Sequence, residues 1–387
     1  MTSAPATFRD DATEQRYRTD GYAVVPFLDP DEVRELEAAY WDEVAGADDG
    51  LLAIDYLRPD RAIMQRVREL ASPLWERHLP ALFCDHRVVF STFVVKHPGH
   101  GSEMFLHEDR SWVDERRFRS GTLWIPLVDD MTDENGPLRV IPGSHRLASN
   151  WSGSLTPDLI RPYEAWLRER LVPLAAPAGS AVYYDSRTLH ASPPNLSERP
   201  RVALVLGVVP RDAQLLHVVA TGTTRRALYA VDPDYFIRTG PRESEARQPD
   251  GELIEEVDEV GPLSPALLAA VLGEDPPPPA PVVPADAAAA PDGGWRPLVP
   301  EQVGVDPGPA TLRIEPGGRL RVPAAGDRDG FGELIDVVEA APVGTGIAAG
   351  PLAVNLLPGE RYRTPSGPLV IWNDGPGALV LAGPAAV

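Results

Sequence analysis

The chain has 387 residues, of which 43% are hydrophobic and 24% charged, and its formal net charge is −21. This length exceeds one ordinary core and predicts one large domain with a smaller one. So acidic a surface repels nucleic acid and anionic membranes, and we expect neither as a partner.

The first segment alternates between strand and helix. The run YAVVPF at 22–27 is typical of a short apolar strand. Asp29, Pro30 and Glu32 then fit the N-cap, the first helical position and the capping-box position of a helix. A second helix is predicted within DRAIMQRVRELASPLWERHL at 60–79.

From about residue 87, short apolar runs rich in β-branched residues alternate with turns. The runs are RVVFSTFVVKH, GTLWIPLVD, PLRVIPGSH, SAVYYDS and RVALVLGVVP. Many short strands after a helical lead-in predict a mainly β fold, a jelly roll or barrel with flanking helices. The segment 146–173 breaks this rhythm, and we interpret it as a helical insertion over the mouth of the barrel.

The C-terminal part is predicted to contain a short helix, a linker and a second β domain. Ser264 and Gly273 fit the start and stop of the helix, and a Pro/Ala-rich stretch follows. We assign 1–262 to the main domain, 263–293 to helix and linker, and 294–387 to a small all-β domain. No histidine follows His217, which excludes a histidine-ligated metal site there and favours an interaction, packing or dimerisation module over a second catalytic centre. No internal sequence repeat is evident.

Three residues fit a metal centre with two histidines and one carboxylate, which leaves one face of the metal open. His107 and Asp109 are separated by one residue, and alternate residues of a strand point to the same side. The candidate third ligand is His190, which follows the strand-like run SAVYYD. The alternative for the first pair is a polar strand end. His145 is interpreted as structural, closing a turn.

A dicarboxylate cosubstrate that chelates iron through a 2-oxo acid needs a cation for its far carboxylate. Arg201 opens a strand eleven residues after His190, and the guanidinium group binds carboxylates in a bidentate fashion. Ser192 adds a hydroxyl donor. Arg199 precedes a proline and is predicted to be exposed. Lys96, the single lysine, could touch a carboxylate, but we favour a solvated strand end.

Two further features have competing interpretations. The arginines of DERRFRSG at 114–121 either meet an acidic or phosphate-bearing substrate or form a solvated charge cluster with Asp114 and Glu115, and we favour the cluster. Trp112 either faces the substrate or packs against the insertion at 146–173.

These motifs resemble the phytanoyl-CoA dioxygenase family of Fe(II)/2-oxoglutarate-dependent oxygenases. The matching stretches are DGYAVVPFLDPDEV, LHEDRSW, LWIPLVDDMTDENGPLRVIPGSHR and LHASPPNLSERPRVAL, in this order between about residues 20 and 209. The resemblance implies a double-stranded β-helix, also called a jelly roll. It implies three iron ligands and three residues of the 2-oxoglutarate pocket: His107, Asp109 and His190, then Arg201, Ser192 and Trp124. Glu108 departs from the glutamine that is common in the family.

The resemblance also implies the reaction. Fe(II), 2-oxoglutarate and O2 would yield succinate and CO2 while an unactivated C–H bond is hydroxylated. Related halogenases lack the carboxylate ligand, so Asp109 favours hydroxylation or a related oxidation. The expected substrate is a small molecule, such as an amino acid, peptide or carrier-bound metabolite, in bacterial specialised metabolism.

Two other functions compete with this one. A non-catalytic binding protein on the same scaffold has no need to keep both the ligands and Arg201. A cupin-type metal enzyme without a cosubstrate leaves Arg201 without a purpose. The polar start of the sequence has no secretory signal, and no apolar run reaches the roughly 18 residues that span a bilayer. We therefore expect a cytoplasmic protein, with a dimer through the C-terminal domain as one oligomeric state.

Overall fold

A computed structural model of the chain contains two compact units. The first comprises Met1–Ser154, Tyr163–Ser244 and Gln248–Pro278, and the second Leu155–Pro162, Glu245–Arg247 and Pro279–Val387. The residues that the structure describes are 5–46, 52–57, 61–99, 102–128, 131–147, 151–153, 160, 163–221, 225–239, 251–257, 263–273 and 276, with the backbone of eight strands between 311 and 382. The Pro/Ala-rich stretch from 277 to 293 lies outside these residues.

The helices of the first unit are short apart from two. Within the described residues they are α1 Asp11–Asp20, α2 Pro30–Glu43, α3 Arg61–Leu82, α4 Glu164–Arg168, α5 Tyr235–Arg238 and α6 Pro265–Leu272. The capping box of α2 is confirmed, since the Asp29 side chain accepts from the Glu32 N–H at 2.9 Å and the Glu32 side chain accepts from the Asp29 N–H at 3.0 Å. Ser264 and Gly273 cap α6 as predicted. No helix in the described part is long and apolar enough to cross a membrane.

Helix α1 was not predicted, because its sequence is polar. Its N-cap is Asp10, whose side chain accepts from the Thr13 N–H. The Glu14 carboxylate folds back to accept from the backbone N–H groups of Thr7 and Phe8 at 3.0 and 2.9 Å. The Tyr17 ring packs edge-on against Phe8. These contacts, together with packing of the Tyr17 ring against Tyr183, hold a helix that has almost no apolar face.

The strands of the first unit form three antiparallel sheets. In chain order they are β1 Tyr22–Pro26, β2 Leu52–Ile54, β3 His86–Lys96, β4 Met104–His107, β5 Gly121–Pro126, β6 Arg139–Val140, β7 Val172–Pro173, β8 Ser180–Asp185, β9 His190–Ser192, β10 Arg201–Pro210, β11 Leu216–Ala220, β12 Arg226–Ala230 and β13 Glu252–Val257. The larger sheet has the order β1-β8-β5-β10-β3-β2, the smaller β4-β9-β6-β7, and the third β11-β12-β13. The first unit is thus mainly β with flanking helices, as predicted.

The larger sheet is buried on both faces, and the two-residue period of its strands decides what each face contacts. On β5, Leu123 and Ile125 join the apolar cluster that includes α2 and α3. Trp124, between them, points the other way and packs with Leu138 and Val140 around the smaller sheet. The same alternation on β3, β8 and β10 gives these strands an inner face, which we define as the face shared with Trp124. Residues on this inner face line the space between the two sheets.

The second unit consists of two four-stranded antiparallel sheets in the described residues. Its strands are β14 Thr311–Ile314, β15 Gly318–Val322, β16 Leu334–Glu339, β17 Thr345–Ala349, β18 Leu352–Asn355, β19 Arg361–Arg363, β20 Leu369–Asn373 and β21 Leu379–Ala382. Their orders are β14-β21-β16-β19 and β15-β20-β17-β18. If β14 is counted as strand 1 and β21 as strand 8, the strand order is 1-8-3-6 in the first of these sheets and 2-7-4-5 in the second. Strands β3 to β10 of the first unit, counted in the same way, have the same two orders.

Candidate metal centre

The smaller sheet brings two of the candidate ligands together. Strands β4 and β9 are antiparallel neighbours, and their register places His107 directly opposite His190. The centroids of the two imidazole rings are 4.2 Å apart. Residues opposite each other on paired strands project from the same face of a sheet. The pairing of two strands that are far apart in the sequence therefore creates the histidine pair.

Backbone carbonyl groups orient both imidazole rings. Nδ1 of His107 lies 2.8 Å from the Phe105 carbonyl oxygen, and Nδ1 of His190 lies 2.9 Å from that of Thr188. A carbonyl oxygen can only accept, so each Nδ1 carries the proton and each Nε2 keeps its lone pair. The two Nε2 atoms lie 3.8 and 3.7 Å from Oδ1 of Asp109. One candidate ligand atom of each residue lies within 4.8 Å of the others.

The donor set fits a divalent iron ion. Two neutral imidazoles and one carboxylate, with the remaining positions open, are the ligands of non-haem Fe(II) oxygenases. Burial and, to a smaller extent, the neighbouring His190 lower the pKa of His107 to about 4. His107 is therefore neutral at pH 7, which is the protonation state that coordinates a metal.

Contacts from the larger sheet fix the position of Asp109. Its backbone N–H donates to the Ser186 carbonyl oxygen at 2.7 Å. Its Oδ2 accepts from the hydroxyl of Thr122 at 2.5 Å, and Thr122 lies on the inner face of β5. These contacts leave Oδ1, the oxygen closer to the two imidazoles, directed at the candidate metal position.

Thr122→Val tests this positioning contact. The substitution keeps the shape of the side chain and removes the donor to Asp109, so we expect the affinity for a divalent metal to fall about tenfold. Anaerobic titration with Co(II), followed by its visible spectrum, measures the affinity. Thr13→Val is the matched control, because the Thr13 hydroxyl also donates to a carboxylate, that of Asp10 at 2.7 Å, at the start of α1 and outside the triad. Equal affinity in both variants would show that the contact does not position the carboxylate.

Tyr184 is a site residue that the sequence did not reveal. It lies on the inner face of β8, is buried, and its hydroxyl is 3.4 Å from Nε2 of His190. Burial raises the pKa of this phenol well above its ordinary value, so the hydroxyl keeps its proton. Tyr184 thus places a hydrogen-bond donor beside the candidate metal position. The alternation of SAVYYD could have indicated which tyrosine faces inward, but not what lies opposite it.

A pair of buried basic side chains forms a second polar feature between the sheets. Antiparallel pairing of β3 with β10 places Lys96 opposite Arg201, both on the inner face. Lys96 is 0% and Arg201 2% exposed. Nη1 of Arg201 donates to the Gly136 carbonyl oxygen at 3.0 Å. Its Nε is buried with no hydrogen-bond partner in the described part of the chain. Like charges opposite each other on paired strands are destabilising, so this arrangement fits an anionic ligand.

The expectation of a solvated Lys96 was wrong. Its ammonium group donates to the carbonyl oxygens of Ser192, at 3.1 Å, and Pro193. Burial and the positive charge of Arg201 together lower its pKa to about 6, so that Lys96 is largely neutral at pH 7 until an anionic ligand favours its protonated form. A lysine at a strand end is usually exposed. The register of β3 with β10 places Lys96 on the inner face, where it adds a second basic side chain beside the predicted Arg201.

Lys96→Met should change how stability depends on pH. The folded-state pKa of Lys96, about 6, lies below the ordinary value of 10.5. The unfolded chain therefore binds one more proton between these values, and the stability of the wild type rises with pH by up to about 1.4 kcal/mol per unit. Methionine fills similar space without titrating, so we expect the variant to lack this slope. Urea unfolding at pH 6.5 and 8, with the metal removed, measures the difference. Parallel pH profiles would contradict a buried, neutral Lys96.

The other predicted pocket residues surround this pair. The Trp124 ring lies 5.2 Å from the guanidinium carbon of Arg201, within the range of a cation–π contact. Ser192 is buried on β9, and its carbonyl binds Lys96. Gly136 has a φ of 71°, and a Cβ there would come within 2.5 Å of the Pro193 carbonyl oxygen. The NGP sequence thus needs a glycine where the chain approaches the cation pair.

Several residues near these motifs lie outside the site. Arg199 is exposed, as predicted. His145 is not part of the triad; its Nε2 contacts the Arg18 carbonyl oxygen at 3.2 Å, in agreement with a structural role. Trp112 packs against Phe90 and Phe236 in a core cluster, so neither of its two predicted roles describes that contact.

Glu108, which stands between the candidate ligands His107 and Asp109, interacts electrostatically with Arg226. Arg226 is the first residue of β12 and is fully buried. Burial lowers the pKa of its guanidinium group, and the negative charge of Glu108 raises it. Nε of Arg226 donates to the Trp151 carbonyl oxygen at 3.3 Å. The third sheet therefore contacts the segment at 151–153. In the insertion at 146–173, α4 is helical as predicted, while residues 148–150, 154–159 and 161–162 lie outside the described part.

Comparison with known proteins agrees with the motifs. The sequence profile of the family described as phytanoyl-CoA dioxygenase (PhyH) matches residues 17–203. A phytanoyl-CoA dioxygenase of Arabidopsis thaliana is 30% identical over 219 residues, which cover 51% of this chain and 71% of that protein. A phytanoyl-CoA dioxygenase domain-containing protein 1 of Bos taurus is 36% identical over 124 residues, 30% of this chain and 42% of that protein. The chain therefore belongs to the phytanoyl-CoA dioxygenase family.

Solved structures are similar over about half of the chain. The non-haem alpha ketoglutarate dependent carbocyclase SnoK from nogalamycin biosynthesis is 22% identical, with a TM-score of 0.41, over 53% of this chain and 86% of SnoK. EvdO2 from Micromonospora carbonacea var. aurantiaca, complexed with 2-oxoglutarate, is 24% identical, with a TM-score of 0.35, over 54% of this chain and 94% of EvdO2.

Proposed function

We propose that the protein is an Fe(II)/2-oxoglutarate-dependent dioxygenase that hydroxylates a C–H bond of a small molecule. The observation that carries this proposal is the convergence of His107, Asp109 and His190 beside the buried cation pair of Lys96 and Arg201. Membership of a family named for dioxygenases supports it. The scaffold is a double-stranded β-helix formed by β3 to β10, whose strand order supports this description.

The triad would hold iron through Nε2 of each histidine and Oδ1 of Asp109. When bound, iron supplies the redox chemistry that couples the decarboxylation of 2-oxoglutarate by O2 to oxidation of the substrate. The protein keeps the two imidazoles neutral and oriented through Phe105 and Thr188. Three protein ligands leave the remaining positions open for the cosubstrate and oxygen.

The cation pair would hold the distal carboxylate of 2-oxoglutarate. Strand β9 begins at His190 and ends at Ser192, whose carbonyl binds Lys96. Two residues of strand span about 7 Å, a distance that a five-carbon dicarboxylate can bridge. The carboxylate would satisfy the buried Nε of Arg201, supply the counter-charge to its guanidinium group, and favour the protonated form of Lys96.

The surroundings suit a reaction that must exclude water. Trp124 is 4% and Tyr184 4% exposed, and both belong to the apolar cluster between the two sheets. A dry site strengthens the hold of fixed charges on the cosubstrate and protects reactive species from side reactions. Tyr184 holds its proton at the hydroxyl, ready to donate to an oxygen atom in the site.

The two competing functions account for fewer of these features. A binding protein has no need for imidazoles fixed in the metal-binding tautomer. A metal enzyme without a cosubstrate leaves the buried guanidinium group of Arg201 uncompensated beside Lys96, an arrangement that costs free energy without serving a function. Both features are accounted for when iron and a dicarboxylate bind side by side.

One experiment separates the three functions. The purified chain is mixed anaerobically with Fe(II) and 2-oxoglutarate, and succinate is measured after oxygen is admitted. We expect a weak visible charge-transfer band before oxygen and slow release of succinate after it. A binding protein gives neither signal, and an enzyme without a cosubstrate gives no dependence on 2-oxoglutarate. A mass-spectrometric screen for substrates that gain one oxygen atom follows.

The remaining expectations are also part of this proposal. We place the protein in the cytoplasm, acting on a small-molecule or carrier-bound substrate of specialised metabolism. We assign residues 1–262 to the oxygenase, 263–293 to a helix and linker, and 294–387 to a β module that forms a dimer. A light-scattering mass equal to one chain at micromolar concentration would contradict the dimer.

A further inference from the structure

A cavity of about 240 Å³ in the first unit is lined by residues other than the three candidate metal ligands. Its walls come from α1, from the turn at Ser144–Arg146, and from the loop between β8 and β9. The lining residues are Pro5, Thr7, Glu14, Tyr17, Arg18, Arg119, His145, Arg146, Asp185 and Arg187. Four of them are arginines in a chain whose net charge is −21.

The two carboxylates of the cavity already have partners in its wall. Glu14 pairs with Arg18, with a nitrogen–oxygen distance of 2.5 Å. Asp185 accepts two hydrogen bonds from Arg187, at 2.8 and 2.7 Å. Asp185 is 1% exposed and Arg187 6%, so this bidentate pair is a fixed part of the structure. It holds the Arg187 guanidinium in one orientation at the cavity.

Two arginines are left in excess over the carboxylates that line the cavity. Arg119 donates to the Glu115 and Phe118 carbonyl oxygens, and its Nε lies 4.0 Å from Oδ2 of Asp185. Arg146 is exposed, and its Nε donates to the Gly143 carbonyl oxygen at 3.2 Å. Hydrogen bonds to carbonyl oxygens orient a guanidinium group without neutralising it. The cavity is therefore a positively charged site.

Glu115, which lies behind the cavity wall, does not remove this excess. It is fully buried, and its carboxylate accepts from the hydroxyl of Ser120. The expectation of a solvated cluster in DERRFRSG was wrong for Glu115. Burial raises the pKa of its carboxyl to about 7, so that it is only partly ionised at neutral pH.

We propose that this cavity binds a phosphate-type dianion, either free phosphate or a small phosphate monoester. Guanidinium forks match the oxygen atoms of such anions, and several arginines around one cavity are a recurrent means of binding them. The Tyr17 side chain also lines the cavity, and its hydroxyl donates to Oδ2 of Asp185 at 3.3 Å. This site is separate from the cosubstrate pocket, where the cations are Lys96 and Arg201.

Calorimetric titration of the full chain with inorganic phosphate tests the proposal, after metal removal and at constant ionic strength set with chloride. We expect saturable binding at one site. Arg146→Gln removes one positive charge at the exposed rim of the cavity, with little risk to folding. The double variant Arg119→Gln/Arg146→Gln should bind phosphate at least about tenfold more weakly than the wild type. The double variant Arg119→Lys/Arg146→Lys keeps both positive charges, and its affinity for phosphate should be within about threefold of that of the wild type. Absence of saturable binding in the wild type would overturn the proposal.

Two control variants test whether phosphate binds at another place on the protein. Arg211→Gln removes an exposed arginine paired with Asp85, remote from the cavity, and should leave the phosphate affinity unchanged. Arg201→Gln should also leave it unchanged. If Arg201→Gln abolishes binding while the Arg119 and Arg146 variants retain it, phosphate occupies the cosubstrate pocket and the proposal is wrong. Glycerol phosphate in place of phosphate distinguishes the two sources, because only a cavity for monoesters binds it at least as tightly.

Discussion

His190→Ala should abolish both the uptake of Fe(II) and the release of succinate. The substitution removes one of the two Nε2 ligands and leaves His107 and Asp109 with an incomplete triad. Loss of a residue that only orients a ligand costs 10- to 100-fold in metal affinity. Loss of the ligand itself should therefore cost at least about a hundredfold. Anaerobic Co(II) titration measures the affinity independently of turnover.

His97→Ala provides the matched control for this variant. His97 is a partly buried histidine whose ring contacts Trp41, outside the triad. The control should bind metal as the wild type does. Asp109→Ala should behave like His190→Ala, because its carboxylate is the only anionic ligand in the triad. Retention of metal by both ligand variants would remove the basis of the proposed function.

Arg201→Gln should raise the KM for 2-oxoglutarate by about a hundredfold, with a smaller change in kcat. Glutamine keeps some hydrogen bonding but loses the charge and the fork that would hold the distal carboxylate. Metal affinity should not change, because Arg201 lies on β10 opposite Lys96, which contacts the end of β9 away from His190. Succinate release at varied 2-oxoglutarate measures the effect.

Arg199→Gln controls for the loss of one positive charge near the pocket. Arg199 is exposed and two residues from Arg201. We expect its variant to have the KM of the wild type. If both variants raise the KM for 2-oxoglutarate equally, the loss of any positive charge near the pocket has this effect, and Arg201 does not bind the cosubstrate. If Arg201→Gln has the KM of the wild type, another group holds the distal carboxylate.

The candidate ligands could be predicted from the sequence because their pattern is local. His107 and Asp109 are two residues apart, and His190 stands in a motif with its own flanking turn and arginine. The position of Lys96 could not be predicted in this way. Its burial depends on the register of β3 with β10, which the strands determine only when they pair. The sequence at Lys96 alone is typical of an exposed strand end.

The fold shows the same division between local and long-range information. The caps of α2 and α6 are short patterns, and both were predicted. Helix α1 has no apolar pattern by which it could be predicted. Contacts of its side chains with Phe8 and with the N–H groups before the helix stabilise it instead. The matching strand orders of the two units are invisible in the sequence, since no repeat is evident. Strand order depends on pairings between distant segments, and different sequences can satisfy the same order.

The matching strand orders also bear on how the enzyme acquires its metal. Residues 294–387 contain no histidine, yet strands β14 to β21 adopt the arrangement that carries the triad in the first unit. An arrangement that forms without any imidazole does not require an ion as its nucleus. We therefore expect chelators to strip the first unit without unfolding it, with an unchanged far-ultraviolet circular dichroism spectrum. The polypeptide would then be able to finish folding before it encounters iron, so that loading is a separate and reversible event in the life of the protein.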